Sequence, residues 1–329
     1  MGKDKADILL MVIPPWDCEK PPLGAASLAT YLKSTGLSVE VMDMNIELYH
    51  RAPVNIRSRW DSQEISFWLE NEFIAQYYQD FRDYLEKILS YNCRVIGISI
   101  NTSVGLYFLK ELTVQIKKKS PDKVVVVGGP GCFFRQDRDI FTADSVDFFV
   151  IGKGEFALEW LVKNLAAGIS PEGNEKCSVT KEENGCRCIE WREKYSSDTL
   201  PFPTFEEFNF SLYAQEILPV RWSQGCIRAC AFCLDRIFSG AYNPGSVSKV
   251  VSGIKFYIDR YGIKNFRFID NLLNGDLRRL SELCDSFIKE DLPIYWDGQV
   301  AVRPDMDRAL FTKLKMAKCG RVELGVESF

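Results

Sequence analysis

The chain has 329 residues, of which 46% are hydrophobic, 26% charged and 13% aromatic, a composition typical of globular proteins. This length predicts two domains, while the apolar content excludes a disordered chain and the modest glycine and proline counts exclude collagen. Lysine and arginine total 41 against 45 aspartates and glutamates, so the formal net charge is -4 and gives no reason to expect a nucleic-acid partner.

The apolar runs of the sequence are too short to cross a membrane. The longest, Ile8 to Pro15, has the length of a strand and falls short of the roughly 20 residues that a bilayer helix needs. The first residues lead directly into this run without a small-residue cleavage site. We therefore expect a cytoplasmic protein without a membrane segment.

The N-terminal half, residues 1–168, alternates apolar runs of strand length with stretches of helical period. This alternation predicts an α/β domain with a parallel, doubly wound sheet. The first helix begins near Pro22 and is expected to stop at Gly36. The aromatic, amphipathic stretch 51–91 interrupts the pattern and is predicted to be a helical insertion. The predicted strands are Ile8 to Ile13, Val39 to Asp43, Val95 to Ile100, Val124 to Val127 and Phe148 to Ile151.

The second half begins after a polar, turn-rich stretch, residues 169–213, which predicts a hairpin followed by a linker. Residues 214–329 then predict four strand-helix units of a partial barrel. Because the last strand has no helix to cover it, we expect a truncated polypeptide. The predicted strands are Leu218 to Trp222, Phe266 to Asp270, Ile294 to Val300 and Arg321 to Val326. Helices are predicted to start at Ser246, Asp276 and Asp305 and to stop at Gly262 and Gly320.

Three of the 11 cysteines, Cys226, Cys230 and Cys233, lie within eight residues directly after the first strand of the second half. Three thiolates can hold three irons of a four-iron four-sulfur (4Fe-4S) cluster and leave the fourth iron open for chemistry. Two other interpretations stay open. The three positions share one helical face and could be packing residues, or they could bind zinc with a fourth cysteine. The candidates for that fourth ligand are Cys188, Cys284 and Cys319.

The Cys-x3-Cys-x2-Cys spacing, with Phe232 before the third cysteine, resembles the motif of the radical S-adenosylmethionine (SAM) superfamily. The resemblance implies that the three cysteines hold a 4Fe-4S cluster whose open iron binds SAM, and that one-electron reduction cleaves SAM to a 5'-deoxyadenosyl radical. It also implies SAM contacts at the strand ends, although polar residues end parallel strands in many proteins. The family's Gly-Gly-Glu form is absent, and two of its strands are missing. The implied SAM contacts are Phe232, Asp270, Arg303, Glu327 and Ser328.

The predicted strands of the N-terminal half are followed by small, glycine-rich loops. A doubly wound sheet binds ligands at this edge, although the glycines could simply make tight turns. With the cysteine motif downstream, this half resembles the cobalamin-binding domain that precedes many radical SAM domains. His50 follows the second strand and not the first, so the resemblance implies cobalamin without a histidine ligand to cobalt. The implied cobalamin contacts are Ser99, Thr102, Gly128, Gly129, Gly152, Gly154 and Glu155.

Together these resemblances imply an enzyme, a cobalamin-dependent radical SAM methyltransferase that moves a methyl group to an unactivated carbon. The expected partners are a small-molecule or peptide substrate and an electron donor such as flavodoxin or ferredoxin, without nucleic acid or membrane. Radical rearrangement or cyclisation with the same cofactors is an alternative, and so is a truncated, non-catalytic protein that binds a cluster or corrinoid. The sequence identifies neither the substrate nor a catalytic residue.

Overall fold

The computed structural model describes residues 5–60, 62–69, 74, 78–193, 195–214 and 216–325. The chain divides into two compact units. The N-terminal unit comprises Met1–Cys18, Gly24–Lys194 and Phe205–Leu212, and the C-terminal unit comprises Glu19–Leu23, Tyr195–Thr204 and Tyr213–Phe329. Among the described residues, no helix has the length and apolar character that a membrane span requires.

The N-terminal unit is built on a seven-stranded sheet in the order β2-β1-β3-β4-β5-β7-β6. All neighbouring strands are parallel except β6 and β7, which are antiparallel. β1 is buried at all five positions, as expected for a parallel strand covered on both faces. The predicted doubly wound sheet is confirmed. The strands are β1 (Ile8–Val12), β2 (Val39–Asp43), β3 (Val95–Ser99), β4 (Val124–Gly128), β5 (Phe148–Ile151), β6 (Cys177–Lys181) and β7 (Arg187–Trp191).

Helices pack on this sheet, and the first one stops as the sequence predicts, with Gly36 at a φ of 87° just after its last turn. The 51–91 stretch contains several helices, and its aromatic side chains enter the core. Trp60, between α3 and α4, makes an edge-to-face contact with Trp68 on α4 at 5.3 Å between ring centroids. The helices are α1 (Leu23–Ser34), α2 (Met44–Arg51), α3 (Val54–Arg57), α4 (Ile65–Leu69), α5 (Tyr78–Leu89), α6 (Leu106–Lys119), α7 (Arg135–Arg138) and α8 (Glu155–Ala166).

The predicted hairpin is present as β6 and β7, and it extends the sheet of the N-terminal unit because β7 pairs with β5. Its three cysteines, Cys177, Cys186 and Cys188, are buried. The polar, turn-rich sequence therefore forms an edge of this sheet, and a linker follows it.

The C-terminal unit contains a parallel sheet in the order β13-β12-β11-β8 and a small antiparallel pair, β9 and β10. Sequential parallel neighbours joined by helices are the start of a (β/α) barrel, as predicted. The strands are β8 (Ile217–Val220), β9 (Ser223–Gln224), β10 (Asn243–Pro244), β11 (Asn265–Phe268), β12 (Tyr295–Val300) and β13 (Cys319–Leu324). The helices are α9 (Asp235–Ser239), α10 (Val247–Tyr261), α11 (Leu277–Lys289) and α12 (Arg308–Met316).

Two of the three predicted helix starts are confirmed, since Ser246 and Asp276 accept capping hydrogen bonds at the starts of α10 and α11. The stop at Gly262 is also confirmed by its left-handed backbone. The third start is wrong: Asp307 caps α12 by accepting from the backbone N of Leu310 at 2.8 Å, whereas the predicted Asp305 lies two residues too early.

The predicted stop at Gly320 is also wrong, because this glycine lies within β13. The left-handed residue after α12 is Lys318, with a φ of 64°. Glycine is the usual residue in the left-handed conformation, and for this reason the sequence predicted the end of α12 at Gly320, two residues after the left-handed Lys318.

Candidate functional site

The cysteine loop, residues 225–234, follows β8 and β9 in the C-terminal unit. Gly225 starts it with a φ of 73°, and a Cβ atom there would collide with the Ala241 carbonyl oxygen. Cys226 forms an isolated bridge with Ala241, which fixes the start of the loop against the segment before β10. The loop contains no helix, so the interpretation of the three cysteines as one buried helical face is wrong.

All three thiols of the cysteine loop are at least partly accessible to solvent. Cys230 is exposed, and Cys226 and Cys233 are half-buried. The Cys226 sulfur accepts from the backbone N of Arg228 at 3.3 Å, and Phe232 leaves 66% of its surface exposed. Within the part of the chain that the structure describes, no three His, Cys, Asp or Glu side chains are arranged to hold a metal. Three accessible thiols on one short loop fit the donor set of a cluster with one open iron, once the loop draws them together.

Asp270, a predicted SAM contact, lies two residues beyond β11 and is 1% exposed. Its carboxylate accepts from the Ser223 hydroxyl at 2.6 Å, from the Ser223 backbone N and from the Trp222 backbone N at 3.2 Å. Burial raises the pKa of Asp270, although these hydrogen bonds act in the opposite direction. The carboxylate therefore faces the chain that enters the cysteine loop, and its contact with SAM stays a prediction.

Arg303, the predicted SAM contact after β12, donates hydrogen bonds that connect two loops. Its Nη1 donates to the carbonyl oxygens of Asn274 at 2.8 Å and Gly275 at 2.9 Å. Its Nε and Nη2 donate to the Asp305 carboxylate at 2.9 and 2.6 Å. These bonds join the loop after β11 to the loop after β12 and explain why Asp305 is not available to cap α12.

The sequence analysis did not single out Asn274, which is fully buried between the same two loops. Its Nδ2 donates to the Ala301 carbonyl oxygen at 2.8 Å, and its Oδ1 accepts from the Ala301 backbone N at 2.9 Å. The sequence feature that could have identified Asn274 is its position in the loop after β11, because the loops that follow the strands of a barrel form its functional edge. The other two predicted SAM contacts, Glu327 and Ser328, lie outside the described residues.

In the N-terminal unit, the loops after β3 and β4 touch through their backbones. Ile100 donates from its backbone N to the Gly128 carbonyl oxygen at 2.9 Å and accepts from the Gly131 backbone N at 3.1 Å. Gly129 has a φ of 107°, and a Cβ atom there would collide with the Ile100 carbonyl oxygen. The glycine at position 129 is therefore required by the protein's own packing. Ser99 and Thr102 are half-buried at the same strand end.

The loop after β5 is more open. Gly152 has a φ of 82°, and a Cβ atom built on it would meet no atom within 4 Å. Gly154 is the residue before α8, and Glu155 is the first residue of that helix. The carboxyl end of β5 thus offers open backbone and a helix N-terminus at the edge where doubly wound sheets bind ligands.

Asn45, in the first turn of α2, fixes the loop after β1 and was missed by the sequence analysis. Its side chain is fully buried. Its Oδ1 accepts from the Trp16 backbone N at 3.0 Å and from the Trp60 Nε1 at 2.9 Å, while its Nδ2 donates to the Trp16 carbonyl oxygen at 3.2 Å. One amide thus joins the strand-end loop to the helical insertion.

Residues 18–162 match the family model of the B12 binding domain. These residues make up most of the N-terminal unit, which is therefore similar to a B12-binding domain. The match runs from the loop after β1 into α8 and so includes the carboxyl ends of β3, β4 and β5. The sheet edge where the strand order and the open glycines predict a ligand therefore lies within the segment that matches the B12 binding domain.

The whole chain resembles a solved structure of the radical SAM methyltransferase TsrM from Kitasatospora setae, a structure with cobalamin and a 4Fe-4S cluster bound. The TM-score is 0.69 at 16% identity, over 98% of this chain and 61% of that one. This likeness shows that the chain has the same fold as the part of the TsrM structure that it matches.

Two curated relatives also match this chain, each over only part of the relative's own length. An uncharacterised methyltransferase of Pyrococcus horikoshii is 25% identical over 253 residues, which cover 75% of this chain and 54% of the relative. An anaerobic magnesium-protoporphyrin IX monomethyl ester cyclase of Cereibacter sphaeroides is 23% identical over 240 residues, which cover 68% of this chain and 38% of the relative. The chain thus spans about half or less of these relatives.

Proposed function

We propose that this protein is a cobalamin-dependent radical SAM methyltransferase that transfers a methyl group to an unactivated carbon. The observation that carries the proposal is the presence, in one chain, of a B12-binding domain and an exposed loop with three thiols after the first strand of a partial barrel. The relatives named as methyltransferases support the reaction type.

The residues of the chain divide into two groups in this proposal. Cys226, Cys230 and Cys233 would hold three irons, and the exposed ring of Phe232 is available to contact the adenine of SAM. A 4Fe-4S cluster with an open iron supplies the electron that cleaves SAM, and cobalamin carries the methyl group. In the B12-binding domain, the open backbone at Gly152 and the start of α8 would face the cofactor.

A second candidate function is a cobalamin-linked radical cyclisation. The magnesium-protoporphyrin cyclase of Cereibacter sphaeroides matches 68% of this chain and favours it. Both candidate functions use the same thiols and the same B12-binding domain, so the two are separated by the fate of the methyl group of SAM.

The first experiment tests the cluster. The chain is purified without oxygen and reconstituted with iron and sulfide, and iron, zinc and corrinoid are measured beside the visible spectrum. We expect about four irons per chain, lost when Cys226, Cys230 and Cys233 are all replaced by Ala. Cys319→Ala is the matched control, because this half-buried thiol lies on β13, outside the cysteine loop. Zinc alone, or iron that survives the triple replacement, would overturn the cluster assignment.

The second experiment tests methyl transfer without knowledge of the substrate. The reconstituted chain is loaded with corrinoid and incubated with a low-potential reductant such as dithionite and with SAM that carries an isotopic label in its methyl group. Label on the corrinoid, together with 5'-deoxyadenosine in the solution, supports the methyltransferase. Formation of 5'-deoxyadenosine without label on the corrinoid favours the cyclase and contradicts methyl transfer.

A further inference from the structure

A buried carboxylate stands directly behind the entrance to the cysteine loop. Asp270 accepts three hydrogen bonds there, two from the backbone N atoms of Trp222 and Ser223 and one from the Ser223 hydroxyl. Ser223 lies three residues before Cys226, the first cysteine of the loop. We propose that Asp270 is a positioning residue, which holds the start of the cysteine loop through these donors so that the thiols can assemble a cluster. The inference rests on the proposed function.

The surroundings of the carboxylate support a fixed geometry. Trp222 is 2% exposed, and its Nε1 donates to the Gly245 carbonyl oxygen at 3.1 Å. Ser223 is 1% exposed and begins β9, which pairs with β10. The segment that Asp270 holds is therefore buried and paired with β10, and the three cysteines follow directly after it.

The acceptor atom of the side chain matters for this role. All three donors reach the Asp270 Oδ1, and an Asn side chain would keep an oxygen there, whereas an Ala side chain leaves the three donors without this acceptor. A buried donor without a partner is costly, so the loop entrance would have to move. Groups behind metal ligands orient them, and their loss typically weakens metal binding by roughly 10- to 100-fold.

This role differs from the SAM contact implied by the family resemblance, and the two make different predictions. A residue that contacts SAM is needed for SAM binding and leaves cluster assembly intact. A residue that positions the cysteine loop is needed for the cluster even when SAM is absent.

The test is therefore made without SAM on the purified chain. Wild type, Asp270→Ala, Ser223→Ala and Asp297→Ala are reconstituted with iron and sulfide, and the loss of iron to a chelator is followed. We expect loss that is roughly tenfold faster in Asp270→Ala and intermediate in Ser223→Ala, which removes one donor to the carboxylate. Asp297→Ala is the matched control, because this partly buried carboxylate on β12 binds Arg267 at 2.8 Å, not the loop.

The outcomes separate the inference from the proposed function. Wild-type rates of iron loss in both Asp270→Ala and Ser223→Ala, with weaker SAM binding only in Asp270→Ala, would overturn the positioning role and support a SAM contact. A wild-type chain that takes up no iron overturns the proposed function itself. If Asp270→Ala does not fold by circular dichroism, Ser223→Ala decides, and an electron paramagnetic resonance spectrum of its reduced cluster that matches wild type contradicts the inference.

Discussion

Arg138 and Glu182 form an ion pair that joins the loop after β4 to the β6–β7 hairpin. The Arg138 Nη2 lies 2.6 Å from the Glu182 Oε1, and only 8% and 11% of the two side chains are exposed. The Arg138 Nη1 also donates to the carbonyl oxygen of Cys132 at 2.9 Å. One guanidinium group therefore holds both the hairpin and the loop that contains Gly129, at the carboxyl end of β4.

The first prediction concerns the loss of this guanidinium. Arg138→Met leaves the Glu182 carboxylate buried without its partner, so we expect the free energy of unfolding to fall by about 3–5 kcal/mol. Arg135→Met is the matched control on the same helix, because Arg135 pairs with Glu183 on the surface, where 56% and 88% of the side chains are exposed. Such a pair contributes less than about 1 kcal/mol. Chemical denaturation of both variants checks the difference, and equal losses would contradict the prediction.

The second prediction is a pH dependence of the same pair. Burial alone would raise the pKa of Glu182, but the hydrogen bonds from Arg138 and Cys188 lower it below its ordinary value. A carboxyl group whose pKa is lower in the folded protein contributes stability above its unfolded pKa, roughly 4.3, and loses it as the pH falls through the folded value. We expect wild type to lose stability in this range and Glu182→Gln to show a flatter dependence. Glu183→Gln is the control, and a profile of Glu182→Gln that parallels wild type would refute the idea.

The strands were predictable from the sequence because burial on both faces of a parallel sheet requires nearly continuous apolar runs. The buried polar residues were not. Asp270, Asn45 and Arg138 make their bonds to residues 15 or more positions away or to loop carbonyls, and no local pattern encodes those partners. The strand ends could thus be located from the sequence, while the side chains that hold the loops after them could be identified only from the fold.

Helix caps show the same limit on a shorter scale. Asp305 and Asp307 both precede the apolar period of α12, and each fits the pattern of an N-cap. The choice depends on Arg303, which binds the Asp305 carboxylate and draws it away from the helix. Since that contact follows from the loop geometry, the sequence alone favoured the wrong aspartate.

The third prediction tests this assignment of the cap. Asp307→Ala removes the acceptor of the Leu310 backbone N, so we expect a loss of about 1 kcal/mol in the free energy of unfolding. Asp305→Ala removes a partner of Arg303 and leaves the cap intact. Hydrogen exchange of the first turn of α12 should therefore accelerate in Asp307→Ala and stay at the wild-type rate in Asp305→Ala. Faster exchange in Asp305→Ala would return the cap to the position that the sequence favoured.

The fourth prediction concerns Asn45, whose amide satisfies both Trp16 and the Trp60 indole. Asn45→Ala removes the acceptor of the buried Trp60 indole N–H and of the partly buried Trp16 backbone N, and a buried donor that loses its acceptor costs about 1–3 kcal/mol. Asn55→Ala, on the exposed side of α3, is the matched control and should change stability little. We expect denaturation to separate the two variants by several kcal/mol and the fluorescence of the tryptophans to change only in Asn45→Ala. Similar stabilities of the two variants would show that the amide is not needed to hold the loop after β1.

The last prediction separates glycines that serve packing from a glycine that faces a ligand. Gly152 and Gly36 both have positive φ and no atom within 4 Å of an added Cβ, but Gly36 precedes β2 and so lies at the opposite edge of the sheet from the end of β5. Alanine at either position should cost about 1–2 kcal/mol from backbone strain alone. At Gly129 the cost should be larger, because the Ile100 carbonyl oxygen occupies the space.

Corrinoid binding then distinguishes the two open glycines, since their backbone strain is matched. If the loop after β5 approaches cobalamin, the methyl group of Gly152→Ala occupies space that the cofactor needs, and the dissociation constant for added corrinoid should rise. Gly36→Ala should bind as wild type does at the same loss of stability. Equal affinities in the two variants, measured by the change in the corrinoid spectrum, would mean that the open backbone at Gly152 does not belong to the cofactor surface of the B12-binding domain.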